Sequence, residues 1–535
     1  MCAICGSVAS VPQQVGAVLR MMEVMRHRGP DSCGLWTGDA VTRAPHPDAV
    51  RPPVERAKRV IGHTRLAIID KGCDGQPYAS CDGRLHLVHN GEIYNYRELE
   101  TLLVHEHSHR GQSDSETVVH LLEEHYAGDL AEAVRAVTPL LDGMVTMAVA
   151  DSRQVVVARD SIGKKPVYYA ATESGTQFAS EKKALQNPVR LRPGHMMILE
   201  GDERRVLEFD RLRLPAIDIV DFDEAVALYE HVFLRAIRKR LVGLREEAVG
   251  VIFSGGVDSV LIAHQLQQEG FKVRCYCAGE EDSGDVQAAR WASQRMGLEL
   301  RVRIIRPDEV ERRLPEVIYA VEETGLLQVE VAIPMYFASE MAAEDGLRVV
   351  YTGQGADELQ GGYDWYRSAL AQSAVALHTN MWNDFRLLYD ETLEREDKLT
   401  MAHSLEQRAP YLDRELIGES MRISPLLKIR GVRDEMRKWV HRTVAARLGV
   451  PDDLAFRRKD PSQTGSGIHG VIERIAERVG IAPDPALVER NCQADKGSLY
   501  RYRDLTPADY GTHEARTLVE TLAIASPDAA EVRAL

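Results

Sequence analysis

Residues able to do chemistry lie in both halves of a long chain. Cys2 follows the initiator methionine in MCAICG. Loss of Met1 would put a thiol and a free α-amine on one residue, a nucleophile with its own base. The alternative is an incidental small residue in a first β-strand. Downstream, RHRGPDS (26–32), GHTRLAIID (62–70), HNGEIYN (89–95) and QSDSE (112–116) put polar groups at strand ends and turns. An amino-acid ligand needs a cation for its α-carboxylate and carboxylates for its α-amine. Arg65, Glu92 and Asp114 supply those charges, and Asn90 with the Gly91 N–H could form an oxyanion hole. Each also has a structural reading: a surface strand residue, a hairpin turn, a helix cap.

A second set could handle phosphates. SGGVDS (254–259) follows the apolar run AVGVIF and opens a helical pattern. Ser254, Gly255 and Gly256 would let backbone N–H groups approach an anion at a helix N-terminus. Asp258 is a carboxylate suited to Mg²⁺ bridging phosphates. No G-x-x-x-x-G-K-[ST] loop occurs, so this is not a Walker A site. YTGQGADELQGGY (351–363) ends a later strand and offers Asp357 as a second carboxylate. In open parallel sheets, ligands bind beyond the carboxyl ends of the strands, so both loops can face one site. Lys459, in FRRKDPSQTGSG, could neutralise charge developing on a phosphate. The alternative for that stretch is a basic surface loop.

Two metal-like patterns argue less. HEHSH (105–109) fits H-E-x-x-H, but it falls where a helix is ending, so the zinc-protease reading is not adopted. Cys2 and Cys5 form C-x-x-C without a second ligand pair, and the segment reads as a strand.

The elements that must position these residues change character along the chain. Up to about residue 205, short apolar runs such as RLAIID, LHLVHNGE, MVTMAVAD, QVVVARD and HMMILEG alternate with turn signals. Two helices interrupt them, the second opening with a capping box from Ser113 to Glu116. After a link near 210–225, repeated β-loop-α units imply a parallel sheet covered on both faces. Beyond about residue 365 the pattern is mainly helical.

The 535 residues exceed one hydrophobic core. A net charge of −15 excludes a broad nucleic-acid or membrane-binding surface. Eight irregularly spaced cysteines do not read as a disulfide framework. Neither a secretory leader nor an uncharged run of the roughly 18–20 residues that span a bilayer is found, and a cytoplasmic protein is expected.

In their order, Cys2, RHRGPD, GHTRLAIID, NGEIYN, SDSE, LDGM, ARDSIGKKPVYY and FASEKKAL resemble the glutaminase domain of class II glutamine amidotransferases. SGGVDS, GADE and SLEQRAPYLD resemble the synthetase domain of glutamine-hydrolysing asparagine synthetases. The resemblance implies an N-terminal nucleophile (Ntn) αββα domain over 1–210. It implies an adenine-nucleotide α-hydrolase-like (PP-loop) α/β domain over 220–480, with 481–535 outside the pattern. Cys2 would attack glutamine, Asn90 and Gly91 would hold the oxyanion, and Arg65, Ile68, Glu92 and Asp114 would bind the substrate. Ammonia would pass through an internal tunnel. ATP would sit on Ile252, Ser254, Gly255, Gly256, Asp258, Ser259, Ala278, Thr352 and Gly353. Asp258 and Asp357 would anchor Mg²⁺, and Lys459 would stabilise charge at the α-phosphate. An aspartyl adenylate would form, and ammonia would displace AMP.

The implied partners are small molecules, namely glutamine, ATP and aspartate, with homodimer formation left open. Two positions depart from the family pattern. Gln354 stands where the family carries a Glu, and Gln cannot act as a general base. Glu330 stands where members often carry an Arg, and a carboxylate there disfavours an acidic group nearby. Two alternatives therefore remain: a related amidotransferase or β-lactam-synthetase-like enzyme acting on another carboxylate, and a non-catalytic regulatory homologue.

Overall fold

The computed structural model describes residues 2–72, 75–458 and 465–478. Lys459 and the 481–535 extension lie outside the described residues. Two antiparallel sheets, of seven and six strands, use the chain from Cys2 to Glu208. The strand Cys2–Gln14 is central to the first, between Arg56–Arg65 and Gly175–Ala179. Its side chains alternate with the period of two that a strand imposes. Ile4 and Val8 enter the layer between the sheets, with Phe178, Val88 and Val157. Ala3 and Cys5 face the other way, onto Val18 and Met22 of the helix Val15–Val24. Helices Asp114–His125 and Leu130–Val137 cover the second sheet. The result is four layers, αββα. Because Cys2 and Cys5 lie on opposite faces, MCAICG cannot gather two sulfur ligands.

The other half starts with the helix Phe222–Lys239 and is built on a five-stranded, all-parallel sheet. The strand Ala248–Ile252 lies in the middle, flanked by Lys272–Gly279 and Val349–Tyr351. Its residues Val249 and Val251 are fully buried, as expected of a strand covered on both faces.

Two local readings are corrected. RLAIID is not a strand: the strand ends at Arg65, and Leu66 to Asp70 form a buried turn segment. The Ala67 N–H donates to Asp31 Oδ2 at 2.7 Å, so this apolar run finds its backbone partner in a side chain. The capping box is not formed either. Ser113 sits at the N-cap without capping, and the Glu116 carboxylate instead accepts from the Arg110 and Gly111 N–H groups.

A fully buried helix, Glu394–Met401, joins the halves through ion pairs. Asp397 accepts from Arg28 at 2.7 Å and Lys165 at 2.9 Å. Glu394 meets Arg159 at 3.2 Å, Arg190 at 2.8 Å and the Tyr168 hydroxyl. Burial pushes the Asp397 carboxyl up, but Arg28 and Lys165 outweigh it and hold it below the usual range.

Candidate active site

Cys2 is 6% exposed, at the start of its strand and paired with Arg65 in the sheet. Its backbone N donates to Asn90 Oδ1 at 3.2 Å, and its carbonyl accepts from Arg28 Nε at 3.2 Å. Because Oδ1 is engaged, the Asn90 amide orientation is fixed, and Nδ2 is buried without a partner among the described residues. A buried amide donor left unmatched is costly unless a ligand completes it. Burial pushes the Cys2 thiol up, against the pull of the amino terminus, the Leu66 N–H and the Arg65 guanidinium.

Gly91 lies beside Asn90 on the strand His86–Ile93, in the second sheet. A Cβ there would fall 1.7 Å from the Met144 carbonyl oxygen, so only glycine fits. Glu92 is buried, with Oε2 lacking a described partner. Burial raises its carboxyl well above the usual range, and Glu406 and Asp114 add to that. Asp114 Oδ2 accepts from the Ile93 N–H at 2.8 Å, which ties the helix start to the Asn90 strand. Arg65 Nη2 donates to the carbonyls of Asp70 at 2.6 Å and Ile69 at 3.3 Å, which shapes the turn containing Ile68. The strand pairing, the Ile93 contact and the Leu66 N–H thus bring the predicted glutamine-site residues to one end of the two sheets.

At the parallel sheet, Ser254 to Gly256 link the central strand to the helix Val257–Gln268. Gly255 has φ +70°, and a Cβ would meet the Ala288 backbone at 2.5 Å. Gly353 packs against Asp258, so the two glycine-containing loops touch. Ile252 ends its strand, Ala278 lies on the neighbouring one, and Thr352 follows the Val349–Tyr351 strand. The Ser259 hydroxyl donates to the Gly256 carbonyl at 3.1 Å.

Sequence reasoning missed what holds Asp258 and Asp357 together. Lys438 Nζ lies 2.7 Å from Asp258 Oδ2 and 2.8 Å from Asp357 Oδ1, and its side chain is 1% exposed. His441 Nε2 is 3.1 Å from Asp258 Oδ1. The run MRKWVHR (436–442) carried the signal, two basic residues three apart at a helix start. Glu396 was missed as well. Its Oε2 lies 3.3 Å from Thr352 Oγ1, and Gln407 Nε2 contacts both groups. Burial pushes this carboxyl up to about 7, although Arg395 pulls the other way.

Gln354 Nε2 donates to Thr392 Oγ1 at 3.0 Å. Glu330 is turned elsewhere, toward His469 Nδ1 at 2.8 Å, and no described contact joins it to Gln354. Between the halves lies a narrow cavity lined by Tyr94, Met144, Lys165, Arg240, Leu393 and Gln407. It leaves about 10 Å³ for the centre of a water-sized molecule. That is near the room one such molecule needs.

These two sites match known proteins in the same order. The glutamine amidotransferase domain model matches residues 1–195, and the asparagine synthase model matches residues 228–482. A glutamine amidotransferase domain joined to an asparagine synthase domain is the class defined by this fold. A Methanocaldococcus jannaschii protein carrying the name asparagine synthetase (glutamine-hydrolysing) 1 is 33% identical, over 90% of this chain and 96% of its own. Asparagine synthetase (glutamine-hydrolysing) 1 of Lotus japonicus is 29% identical, over 86% of this chain and 77% of its own. The chain belongs to the glutamine-hydrolysing asparagine synthetase family.

Proposed function

We propose that this chain is a glutamine-hydrolysing asparagine synthetase, an ATP-dependent amide ligase. The observation that carries the glutaminase half is the Asn90 amide, which binds the Cys2 nitrogen through Oδ1 and leaves Nδ2 buried and unmatched. After Met1 is removed, that nitrogen is the free α-amine. It would take the thiol proton, directly or through water, as sulfur attacks the glutamine amide carbon. Asn90 Nδ2 and the Gly91 N–H would receive the oxyanion. The proton then passes to the leaving nitrogen, ammonia departs, and water releases glutamate from the thioester. Arg65 would bind the substrate carboxylate, and Glu92 and Asp114 its amine, beside the Ile68 backbone.

The cavity supports passage of ammonia between the sites. Tyr94 lies two residues beyond Glu92, and Gln407 contacts Thr352 at 2.8 Å. ATP would lie across Ser254 to Ser259, with Ile252, Ala278, Thr352 and Gly353 around it. The hard oxygen donors of Asp258 and Asp357 converge on one cation, Lys438, and fit Mg²⁺ in chemistry and charge. Bound there, Mg²⁺ would neutralise phosphate charge.

The aspartate carboxylate would attack the α-phosphorus and expel pyrophosphate. Ammonia would then attack the acyl carbon and release AMP. Lys459 would stabilise the α-phosphate. Gln354 cannot accept a proton, and we assign that role to Glu396, whose raised carboxyl titrates where a base is effective. We place the domain boundary between Glu208, where the last strand of the second sheet ends, and Phe222.

Gln354 is the specific observation that favours a second reading, ammonia transfer to another carboxylate. The test is product analysis with glutamine, ATP, Mg²⁺ and aspartate. Asparagine, glutamate, AMP and pyrophosphate in equal amounts are expected. Glutamate without asparagine, together with ATP–pyrophosphate exchange on a different carboxylic acid, would establish the second reading instead.

A further inference from the structure

HEHSH has a use that its H-E-x-x-H spacing does not suggest. His105 and His109 do not share a helix face, because residues 101–113 form no regular structure. The middle histidine, His107, is instead carried to a cluster with Cys81, His120 and Glu123. Three segments meet there: the turn after the strand Tyr78–Ala79, the 101–113 run, and the helix Asp114–His125. His120 and Glu123 are three apart on that helix and project from one face.

The four ligand atoms lie within 4.8 Å of one another. Cys81 Sγ is 3.4 Å from His107 Nδ1 and 3.7 Å from His120 Nδ1. Glu123 Oε2 is 3.2 Å from His107 Nδ1 and 3.3 Å from His120 Nδ1. A tetrahedral zinc centre has bonds of about 2.3 Å to sulfur and about 2.0–2.1 Å to nitrogen and oxygen, giving edges of roughly 3.6 Å and 3.3 Å. The observed separations agree with those edges to about 0.2 Å. Hydrogen bonding alone satisfies the cluster poorly. Each Nδ1 faces two partners and carries at most one proton. A cation in the middle meets all four lone pairs.

The surroundings also suit a metal. His107 Nε2 faces Glu124 Oε1 at 3.2 Å, the carboxylate–histidine arrangement that orients a ligating imidazole. Glu124 is itself fixed by the N–H groups of Val104 and His105, both at 2.7 Å. The Ser108 N–H donates to Cys81 Sγ at 3.3 Å, which favours an anionic sulfur. The Cys81 N–H holds Glu123 Oε2 at 3.0 Å. His120 is 1% exposed, and its Nε2 has no partner among the described residues.

We propose that Cys81, His107, His120 and Glu123 form a zinc site that clips the 101–113 segment to the Asp114–His125 helix. Four protein ligands close the coordination sphere, so the site is structural and not catalytic. It stands apart from Cys2 and from the nucleotide loops, on the run that leads into Asp114.

The experiment is metal analysis of the full chain, followed by Co²⁺ substitution of chelator-treated protein. One zinc per chain is expected, with a tetrahedral Co²⁺ spectrum that includes a thiolate charge-transfer band. Cys81→Ser should remove that band and weaken zinc binding by at least about tenfold. His107→Ala should also weaken binding. Chelation should raise hydrogen exchange in residues 101–113 while leaving the parallel sheet protected. Protein that keeps no Zn²⁺ or Co²⁺ after buffer exchange would overturn the proposal. So would a Co²⁺ spectrum unchanged in both variants.

Discussion

The glutamine site and the nucleotide site solve the same electrostatic problem in opposite ways. At Cys2 the polar groups are buried with capacity in hand: Asn90 Nδ2 and Glu92 Oε2 have no described partner. At the parallel sheet the charges are already matched, because Lys438 spans Asp258 and Asp357. The first site stores desolvation cost that a ligand relieves. The second neutralises itself, so a ligand must compete with an internal cation. An open acceptor site and a self-paired one should therefore respond differently to loss of a single group.

The largest difference should come from Cys2→Ala. Glutamine-dependent synthesis should fall by at least about 10³-fold, while ammonia-dependent pyrophosphate release changes less than about twofold. Equal loss of both activities would break the comparison. Asn90→Ala should lower kcat for glutamate release by about 10²–10³, with little change in KM, since its amide would act on the transition state. A change confined to KM would make Asn90 a binding group only.

Lys438→Met should sharpen the contrast. It leaves two buried carboxylates facing each other and should cost about 3–5 kcal/mol of stability, read as a fall in Tm. Mg²⁺ with ATP should recover more of that loss in the variant than it adds to the parent protein. No recovery would separate the carboxylate pair from the metal. The smallest effect concerns Glu396, whose folded carboxyl titrates near about 7, above its ordinary 4.5. Stability from this raised value is present at low pH and lost as pH rises through 7. Glu396→Gln should remove that loss, worth up to about 3 kcal/mol between pH 5 and pH 8 in denaturant unfolding. Parallel pH curves for the two proteins would refute it.

Legibility in the sequence followed the range of the forces involved. The central strand Ala248–Ile252 and its glycine loop were readable because period, turn chemistry and helix start agree over a dozen residues. RLAIID misled because Leu66, Ala67 and Ile68 are apolar for burial, while Asp31, far back in the chain, satisfies the backbone. Asp258 and Asp357 could be named as a pair, but not the Lys438 that joins them, 80 residues beyond Asp357. HEHSH drew attention through its outer histidines. The ligand-like residue is the middle one, and its companions Cys81 and His120 are set by tertiary packing alone.

The helix Glu394–Met401 bears on how the chain can be divided. Its acids are matched by Arg28, Lys165, Arg159 and Arg190 from the other half. Arg28 also holds the Cys2 carbonyl. Cut at the link before Phe222, each fragment would bare uncompensated charge that neither can rearrange to hide. The two catalytic halves are thus heritable only together: they should melt in one cooperative transition, and a split gene should yield usable protein only when both pieces are made in the same cell.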